Sequence, residues 1–362
     1  MRERGVEDDR YARPEGVDPE ALLTVIRVPR EWARWRVDRV VHATFPRMSR
    51  TRAQQVVSAG AYAPSGRRLR SNDRVQPDAV ILLYRAPWEE PDLPTDCPVL
   101  YEDEQLLAID KPPGLPVHPT ARYRHRTVTA VLKAARPGEF LALCHRIDRE
   151  TSGVLLLAKT PGAERFVKLR LERHVLDTLA AADAAAGELH GVAKRYLAIT
   201  WGVPEPVQGR IEQALALDES NPLKLKMRLA SPDEPTAQPA ATRYTVLGAR
   251  VHPATGRRYA LVACDLESGR QHQIRMHLAF VKGTPIVGDK LYGPFEDADD
   301  LFRRSADQAL TEGDLARLEL PRHALHATRM ALPDPTSPRR RIEVVSPLPR
   351  DLAAFWDGLH EA

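Results

Sequence analysis

The sequence predicts an α+β protein in two parts: a small basic α/β domain, followed by a larger domain with a mixed, largely antiparallel sheet. Short apolar runs typical of strands recur at 106–109, 154–158, 196–200 and 259–264. Helical patterns are fewer and do not alternate regularly with these runs, which argues against a parallel sheet built from βαβ units. A chain of 362 residues is long enough for two domains with a sizeable core.

Composition restricts the class of protein and its compartment. Hydrophobic residues make up 43% of the chain and charged residues 28%, as in ordinary soluble proteins. No apolar stretch approaches the roughly 18 residues of a membrane span, and residues 1–10 lack the apolar core of a secretory signal. Three widely separated cysteines argue against a disulfide framework or a zinc site. We therefore expect a cytoplasmic protein with no contact to membranes.

The beginning of the chain is unusual in its charge. Residues 1–29 are polar and charged, then weakly apolar, and we expect them to form a loosely ordered extension. Residues 30–85 contain twelve arginines, no lysine and four acids, a local balance of +8 in a chain whose net charge is +4. A basic segment joined to a near-neutral body predicts a module that binds a polyanion. We place this module at residues 30–87.

Two helices and a strand are predicted within the basic module. Apolar residues recur at helical spacing over 35–45, and Pro46 ends the pattern. Ser49 is a suitable N-cap for a second helix, and Gly60 lies just past its end. A turn and an apolar strand follow, at 64–66 and 79–83.

The rest of the chain is predicted to contain a linker, the large domain and a tail. Prolines with acids between them over 88–98 are typical of a semi-stiff linker. The large domain then covers 99–350, and 351–362 forms a C-terminal tail. Three segments of the large domain carry helical patterns: 127–135, 163–171 and 273–280.

The strongest indication of chemistry lies in the segment His145-Arg146-Ile147-Asp148-Arg149-Glu150-Thr151-Ser152-Gly153. The apolar run 154–158 follows at once and predicts a buried strand. A carboxylate just ahead of such a strand lies at a fixed, semi-buried place, and the neighbouring cations keep it ionised. Asp148 therefore has the setting that a nucleophile or a general base requires.

This segment resembles the catalytic motif of the RluA-type pseudouridine synthases, usually HRLDxxTSGLLLLAK, with Ile147 in place of Leu. Five further segments resemble motifs of that family in the same order, and the resemblance covers roughly residues 99–350. They are 109–119 (DKPxGLxVHP), 194–198 (KxYxA), 268–278 (TGRTHQIRxHL), 288–293 (GDxxYG) and 324–327 (LHA). Two departures are an Ala-rich stretch over 175–192, which looks like an insertion, and Gln271 where Thr is common.

The resemblance implies a pseudouridine synthase fold and the conversion of a uridine in RNA to pseudouridine. That reaction breaks the C–N glycosidic bond, turns the uracil and forms a C–C bond without redox change or added water, so we expect no metal or organic cofactor. By the resemblance, Asp148 is the essential carboxylate, which attacks either C1′ of the sugar or C6 of the base. Arg275 matches the arginine that pairs with this aspartate, and Tyr196 matches the tyrosine that stacks on the uracil.

Contacts to RNA are expected from both parts of the chain. Arg146 is a candidate for filling the base stack when the target uridine is flipped out of it. Two helices before a small sheet, with arginines on the outer face of the second helix, resemble an S4 RNA-binding domain, although 64–66 replaces the usual Asn-Gly turn. The alternative is a solvated basic hairpin without a ligand. The residues expected to contact RNA are Arg146, His145, Lys111, Lys194, Arg47, Arg50 and Arg52.

A metal site is not expected from the histidines. His145, His272 and His277 lie in two separate motifs, and their spacing matches neither HxxxH nor HExxH. Structural or RNA-contacting roles suit them better.

The resemblance also indicates a class of RNA. An S4-like N-terminus is commonest in family members that modify large-subunit ribosomal RNA, so we expect that substrate and a monomeric enzyme. The alternatives are a transfer RNA substrate, a non-catalytic RNA-binding protein of ribosome assembly, and an aspartate-dependent hydrolase.

Overall fold

The structure, a computed structural model, divides the chain into two compact units, residues 1–89 and 90–362. The boundary falls within the Pro-rich segment that the sequence predicts as a linker. The residues that the structure describes are 11–45, 48–86, 90–120, 122–180, 191–337 and 339–361.

The first unit packs two helices against a three-stranded antiparallel sheet with the strand order β1-β3-β2. A short 3₁₀ turn at Arg30–Trp32 precedes the first helix. The elements are β1 (Leu22–Arg27), α1 (Val37–Thr44), α2 (Arg50–Gly60), β2 (Ala61–Tyr62) and β3 (Val80–Arg85).

Local sequence explains the limits and packing of α2. The Ser49 side chain caps the helix by accepting a hydrogen bond from the amide of Arg52 at 3.2 Å, as predicted. Gly60 closes the helix against β3, where a Cβ atom would collide with the carbonyl oxygen of Tyr84. Val57 on the inner face of α2 is buried against the sheet, and the arginines of α2 stay on its outer face.

Part of the expected N-terminal extension is ordered. We expected 1–29 to be loosely ordered, but β1 pairs with β3 over six residues, and Ile26 is buried in the core of the unit. The expectation is wrong for 22–27 because the apolar strand β3 needs a partner on its second edge, and β1 supplies it. This pairing leaves fewer backbone groups of β3 without hydrogen bonds.

The second unit is an α+β domain on one large sheet, with a separate β10–β11 hairpin. Its elements are β4 (Val99–Glu102), β5 (Leu106–Lys111), α3 (Val128–Ala135), β6 (Ala142–Leu143), β7 (Ser152–Ala158), α4 (Pro161–Ala180), β8 (Ala193–Trp201), β9 (Gln208–Glu212), β10 (Leu215–Leu217), β11 (Met227–Leu229), β12 (Ala241–Val251), β13 (Arg258–Leu266), α5 (Gln273–Met276), α6 (Ala298–Ala306), α7 (Glu312–Leu318), β14 (Leu325–Pro333), β15 (Arg341–Val345), α8 (Arg350–Asp357) and β16 (His360–Glu361). A π-helical turn at His277–Val281 continues α5.

Eleven strands of the described residues form the large sheet, in the order β16-β12-β13-β8-β14-β7-β5-β4, with β15, β6 and β9 paired to β14, β7 and β12. All of these pairings are antiparallel except β14 with β7, which is parallel. The predicted mixed, largely antiparallel sheet is confirmed.

Strand β7 lies in the middle of this sheet and is buried along its whole length. Leu155 and Leu157 face the main core, while Val154 and Leu156 face a second core on the opposite side. A strand covered on both faces has no need of polar alternation, which explains its continuous apolar run. The loop just before β7 is therefore attached to a strand that is buried on both faces.

The C-terminal residues are part of the domain. We expected a tail over 351–362, but α8 buries Leu352 in the main core, and β16 pairs with β12. The expectation is wrong because Leu352, Phe355, Trp356 and Leu359 recur at helical spacing and form an apolar face that needs cover. Among the described residues, no helix is long and apolar enough to cross a membrane.

Candidate active site

The segment that carries Asp148 connects β6 to β7 and ends where β7 lies closely against β14. It follows β6, enters β7 at Ser152, and there pairs in parallel with His326 of β14, whose Nδ1 lies 3.0 Å from the Ser152 hydroxyl. Gly153 has φ +106°, and a Cβ atom there would collide with the carbonyl oxygen of Ala327. The Ser-Gly pair of the motif is thus explained by this close approach.

A cavity of about 480 Å³ opens beside this segment. The volume lies in the range of about 300–1,000 Å³ that is usual for small-molecule sites. Its lining brings together residues from distant parts of the sequence. They include His145, Arg146, Asp148, Lys194, Tyr196, Arg270, His272 and Arg275.

Asp148 and Arg275 form an ion pair in the wall of this cavity. Nη1 of Arg275 donates to Oδ2 of Asp148 at 3.0 Å. Burial alone would raise the pKa of Asp148, but His272, Arg275 and His323 lower it to about 2. Burial keeps both histidines neutral near pH 7. Of these three groups, Arg275 is therefore the one that carries a positive charge at that pH. No hydrogen bond to Oδ1 of Asp148 is found among the described residues.

Asp289 holds Arg275 in position. Its two oxygens accept from Nε and Nη2 of Arg275 at 2.6 and 2.8 Å. The carboxylate is itself fixed by the backbone amides of Leu291 and Tyr292 at 2.9 and 3.1 Å. Burial would lower the pKa of Arg275, but Asp289 and Asp148 raise it above its usual value. Asp289 is not among the site residues predicted from the sequence, although its place in the motif at 288–293 was a signal.

Tyr196 lies on β8 and lines the same cavity with 7% of its surface exposed. Burial and the charge of Asp148 raise its pKa well above the ordinary value, so the phenol stays protonated. The hydroxyl has no hydrogen-bond partner in the described part of the chain. The structure thus brings together Asp148, Tyr196 and Arg275, and Tyr196 offers an O–H donor to an occupant.

Lys111 does not reach the surface. It is fully buried, and its Nζ donates to the carbonyl oxygens of Pro112, Leu115 and Arg149 at 2.7, 3.0 and 2.9 Å. Burial lowers its pKa to about 7. The expectation that Lys111 contacts RNA is corrected, because these bonds tie the loop after β5 to the segment that carries Asp148.

His145 also has a structural contact. Its Nε2 accepts a hydrogen bond from the amide of Leu156 at 3.0 Å, which requires an unprotonated Nε2. Burial lowers the pKa of His145 to about 3, consistent with a neutral ring. The bond fixes the start of the segment to β7, and contact of His145 with RNA stays a prediction.

The other residues expected to contact RNA belong to both units. Arg146 is exposed at the cavity, and Lys194 lines it without a hydrogen-bond partner among the described residues. Burial and the nearby Arg270 lower the pKa of Lys194 to about 8. Arg50 and Arg52 are exposed on α2 in the other unit. Arg47 lies outside the described residues.

A second charged cluster lies behind the Asp148 segment. Glu150 pairs with Lys290 at 2.9 Å and with Arg149 at 3.0 Å, and it accepts from the amide of His323 at 3.3 Å. Burial opposes ionisation of Glu150, but Lys290 lowers its pKa well below the ordinary value. Glu150 thus pairs with Arg149, the next residue after Asp148 in the sequence, and with Lys290 of the motif at 288–293. Arg275 is left as the ion-pair partner of Asp148.

Helix α4 supplies one wall of the cavity. Leu171, Glu172, Val175 and Leu176 from its second half line the opening. The stretch predicted as an insertion, 175–192, therefore begins as a continuation of α4, and residues 181–190 lie outside the described residues. Among the described residues, no three His, Cys, Asp or Glu side chains are grouped so that they could hold a metal ion.

The fold and the site place the chain among enzymes that have a mixed, largely antiparallel sheet and a carboxylate–arginine pair in an open cavity. Residues 105–280 match the family described as RNA pseudouridylate synthase. The chain is 33% identical over 342 residues to an RNA pseudouridine synthase, described as uncharacterized, of Chloroflexus aurantiacus, covering 92% of each chain. It is 31% identical over 344 residues to the ribosomal large subunit pseudouridine synthase D of Xanthomonas campestris, again covering 92% of each.

A solved structure has the same fold. Human RNA pseudouridylate synthase domain containing 1 superposes with a TM-score of 0.52 at 21% identity, over 76% of this chain and 92% of the human one. The chain belongs to the RNA pseudouridine synthase family, whose members are isomerases. The resemblance to RluA-type synthases drawn from the sequence motifs is confirmed.

Proposed function

We propose that this enzyme converts specific uridines of large-subunit ribosomal RNA to pseudouridine, with Asp148 as the essential carboxylate. The observation that carries the proposal is the cavity in which Arg275 binds one oxygen of Asp148, while no described residue donates a hydrogen bond to the other. The relative from Xanthomonas campestris, named ribosomal large subunit pseudouridine synthase D, supports the class of RNA.

The geometry suits an isomerisation. The bond between C1′ and N1 breaks, the uracil turns, and C5 bonds to C1′ and loses its hydrogen while N1 gains one. Atoms and electrons balance within the nucleotide, so no co-reactant is required. Asp148 supplies a nucleophilic oxygen that attacks C1′ or C6 and later leaves. Because Asp148 is ionised far below neutral pH, the nucleophile is ready without a separate base.

Tyr196 and Arg275 have separate parts in this proposal. Arg275 fixes the rotamer of Asp148 and keeps the carboxylate charged. The Tyr196 ring offers a face for the uracil, and its protonated hydroxyl can donate to the base or pass a proton during its rotation.

The target uridine must leave its base stack to enter the cavity, at a cost of a few kcal/mol. Arg146 is exposed at the cavity and can fill the vacated place with its planar guanidinium. Lys194 lacks a protein partner among the described residues and suits a phosphate of the bound strand.

The first unit is the proposed S4-like RNA-binding domain. It has two helices against a small sheet, and Arg50 and Arg52 are exposed on the outer face of α2. Such arginines bind the phosphates of RNA with little dependence on the nucleotide sequence. We further propose that the enzyme acts as a monomer in the cytoplasm, where ribosomal RNA is accessible.

Pseudouridine mapping of total RNA from cells with and without the gene tests the function. We expect one or a few uridines of large-subunit ribosomal RNA to lose their pseudouridine signal in the deletion strain, and the purified enzyme to restore it. Loss of signal in transfer RNA alone would show that the substrate is transfer RNA and not ribosomal RNA. No changed position, together with no activity on either RNA, would favour a non-catalytic assembly protein.

A further inference from the structure

His272 stands out among the residues that line the cavity. It is not glycine, yet it adopts a left-handed backbone conformation with φ 55° at the start of α5. Such a conformation is uncommon for a residue with a side chain and persists only where the surroundings hold it. Its side chain is 9% exposed, and the cavity is the open space beside it.

The hydrogen bonds around Tyr292 determine which nitrogen of His272 carries the proton. The amide of Met227 donates to the Tyr292 hydroxyl oxygen at 2.8 Å, and Nδ1 of His272 lies 2.7 Å from the same oxygen. If Nδ1 carried a hydrogen, the buried phenol O–H of Tyr292 would have no acceptor among the described residues. The phenol therefore donates to Nδ1, because an unsatisfied buried hydroxyl is costly. In a neutral ring the hydrogen is then on Nε2.

Nε2 of His272 has no hydrogen-bond acceptor within the described protein. Oδ2 of Asp148 lies 4.0 Å away, too far for a hydrogen bond, and it already accepts from Arg275. Burial lowers the pKa of His272 to about 4, so the ring is a neutral donor that does not compete with Arg275 for the carboxylate. A fixed, unused N–H thus lies beside the reacting carboxylate.

We infer that His272 binds the target uridine by donating a hydrogen bond from Nε2 to one of its oxygens, and that Tyr292 is a positioning residue that fixes this tautomer. The inference rests on the proposed function. The acceptor is one of three oxygens close to the reacting bonds: O2 or O4 of the uracil, or the 2′-hydroxyl of the ribose. Donation to the uracil favours uracil over cytosine if the acceptor is O4, where cytosine has an amino donor.

Tyr292 offers a selective test of the tautomer. Its ring lies 4.9 Å from the guanidinium carbon of Arg275, so Tyr292→Phe keeps that packing and removes the hydroxyl alone. His272→Ala removes the donor, and His272→Asn restores an N–H on a shorter side chain. His277→Asn is the matched control, because His277 is fully buried and bonds only Thr242 and Gln213 in the described part of the chain.

The experiment measures kcat and KM on a synthetic RNA that spans the mapped uridine. Four versions carry uridine, 2-thiouridine, 4-thiouridine or 2′-deoxyuridine at the target. With the wild type, we expect one of the three analogues to lower kcat/KM by about tenfold through the weakened hydrogen bond. In His272→Ala that same analogue should cause no further loss. The loss of kcat/KM that this analogue causes in Tyr292→Phe should lie between its losses in the wild type and in His272→Ala. His272→Asn should regain part of the wild-type loss. His277→Asn should show the same loss as the wild type.

The inference is overturned if no analogue slows the wild type, or if the penalty of each analogue is the same in His272→Ala. Activity of the wild type on the unmodified RNA tests the proposed function separately. An active wild type without a His272-dependent penalty removes only the role of His272, whereas an inactive wild type removes the proposed function.

Discussion

Asp289 binds Nε and Nη2 of Arg275 at 2.6 and 2.8 Å, which leaves Nη1 to reach Asp148 at 3.0 Å. Asp289 therefore orients Arg275, and Arg275 in turn orients Asp148. Asp289 is fully buried and is not among the residues that line the cavity, so it acts on the reaction through Arg275 and the other groups that it holds.

Replacing Asp289 by Asn should lower kcat by about a hundredfold, because a misplaced Arg275 no longer aligns Asp148. RNA affinity should change little, since Asp289 does not line the cavity. Single-turnover rates and equilibrium binding separate the two effects. Asp300→Asn is the control, because Asp300 is exposed and pairs only with Arg303 in the described part of the chain. Equal rates for both variants would show that Arg275 needs no anchor.

Replacing Asp148 by Asn should reduce turnover to less than roughly 1% of the wild type, since an amide keeps the shape of the side chain but is not a nucleophile. RNA affinity should stay within a few fold. Pseudouridine formation and binding to the mapped RNA fragment are the measurements. Turnover well above that limit would show that Asp148 is not the essential carboxylate.

The candidate reacting residues could be predicted from the sequence because their neighbours form distinctive runs. Asp148, Tyr196 and Arg275 come from three separate motifs, and the structure places all three at one cavity. The largely antiparallel sheet was also predictable, because recurrent strands without regular helices between them argue against a parallel sheet built from βαβ units.

The supporting network was not predictable in the same way. Glu150 meets Lys290 across 140 positions of sequence, and a charged pair at that distance leaves no periodic signal. Lys111 was misjudged because a lysine at the end of a strand is usually solvated, whereas here its Nζ donates to three carbonyl oxygens. The strand β1 was missed because its burial depends on β3, not on its own pattern.

Binding of RNA should weaken as the pH rises through about 8, because Lys194 loses its charge there. Its pKa is lowered by burial and Arg270, so the cation is present below that pH and absent above it. The affinity for the mapped RNA fragment, measured from about pH 6.5 to 9.5 at constant ionic strength, should fall by about tenfold. Lys194→Arg stays charged over this range and should flatten the profile. If the wild-type affinity is equally independent of pH, Lys194 does not bind a phosphate of the RNA.

Replacing Lys111 by Met should lower Tm by about 5–15 °C, because three carbonyl oxygens that accept from the buried Lys111 Nζ lose their donor. Calorimetry of the full chain measures the shift in the transition of the second unit. Lys133→Met on α3 is the control, because Lys133 is exposed. A variant of normal stability but weaker RNA binding would restore the original expectation that Lys111 contacts RNA.

Replacing Arg50 and Arg52 by Gln should weaken RNA binding without slowing the chemical step at saturating RNA. Both side chains are exposed on α2, and each phosphate that is no longer neutralised reduces the slope of log K against log salt by about 0.7–0.9. The slope of the double variant should therefore be smaller by up to about 1.4–1.8 units, and kcat/KM should fall more than kcat. Replacing the exposed Arg257 and Arg303 of the second unit by Gln, as the control, should leave the slope near its wild-type value. An unchanged slope in the Arg50 and Arg52 variant would show that the outer face of α2 does not bind RNA.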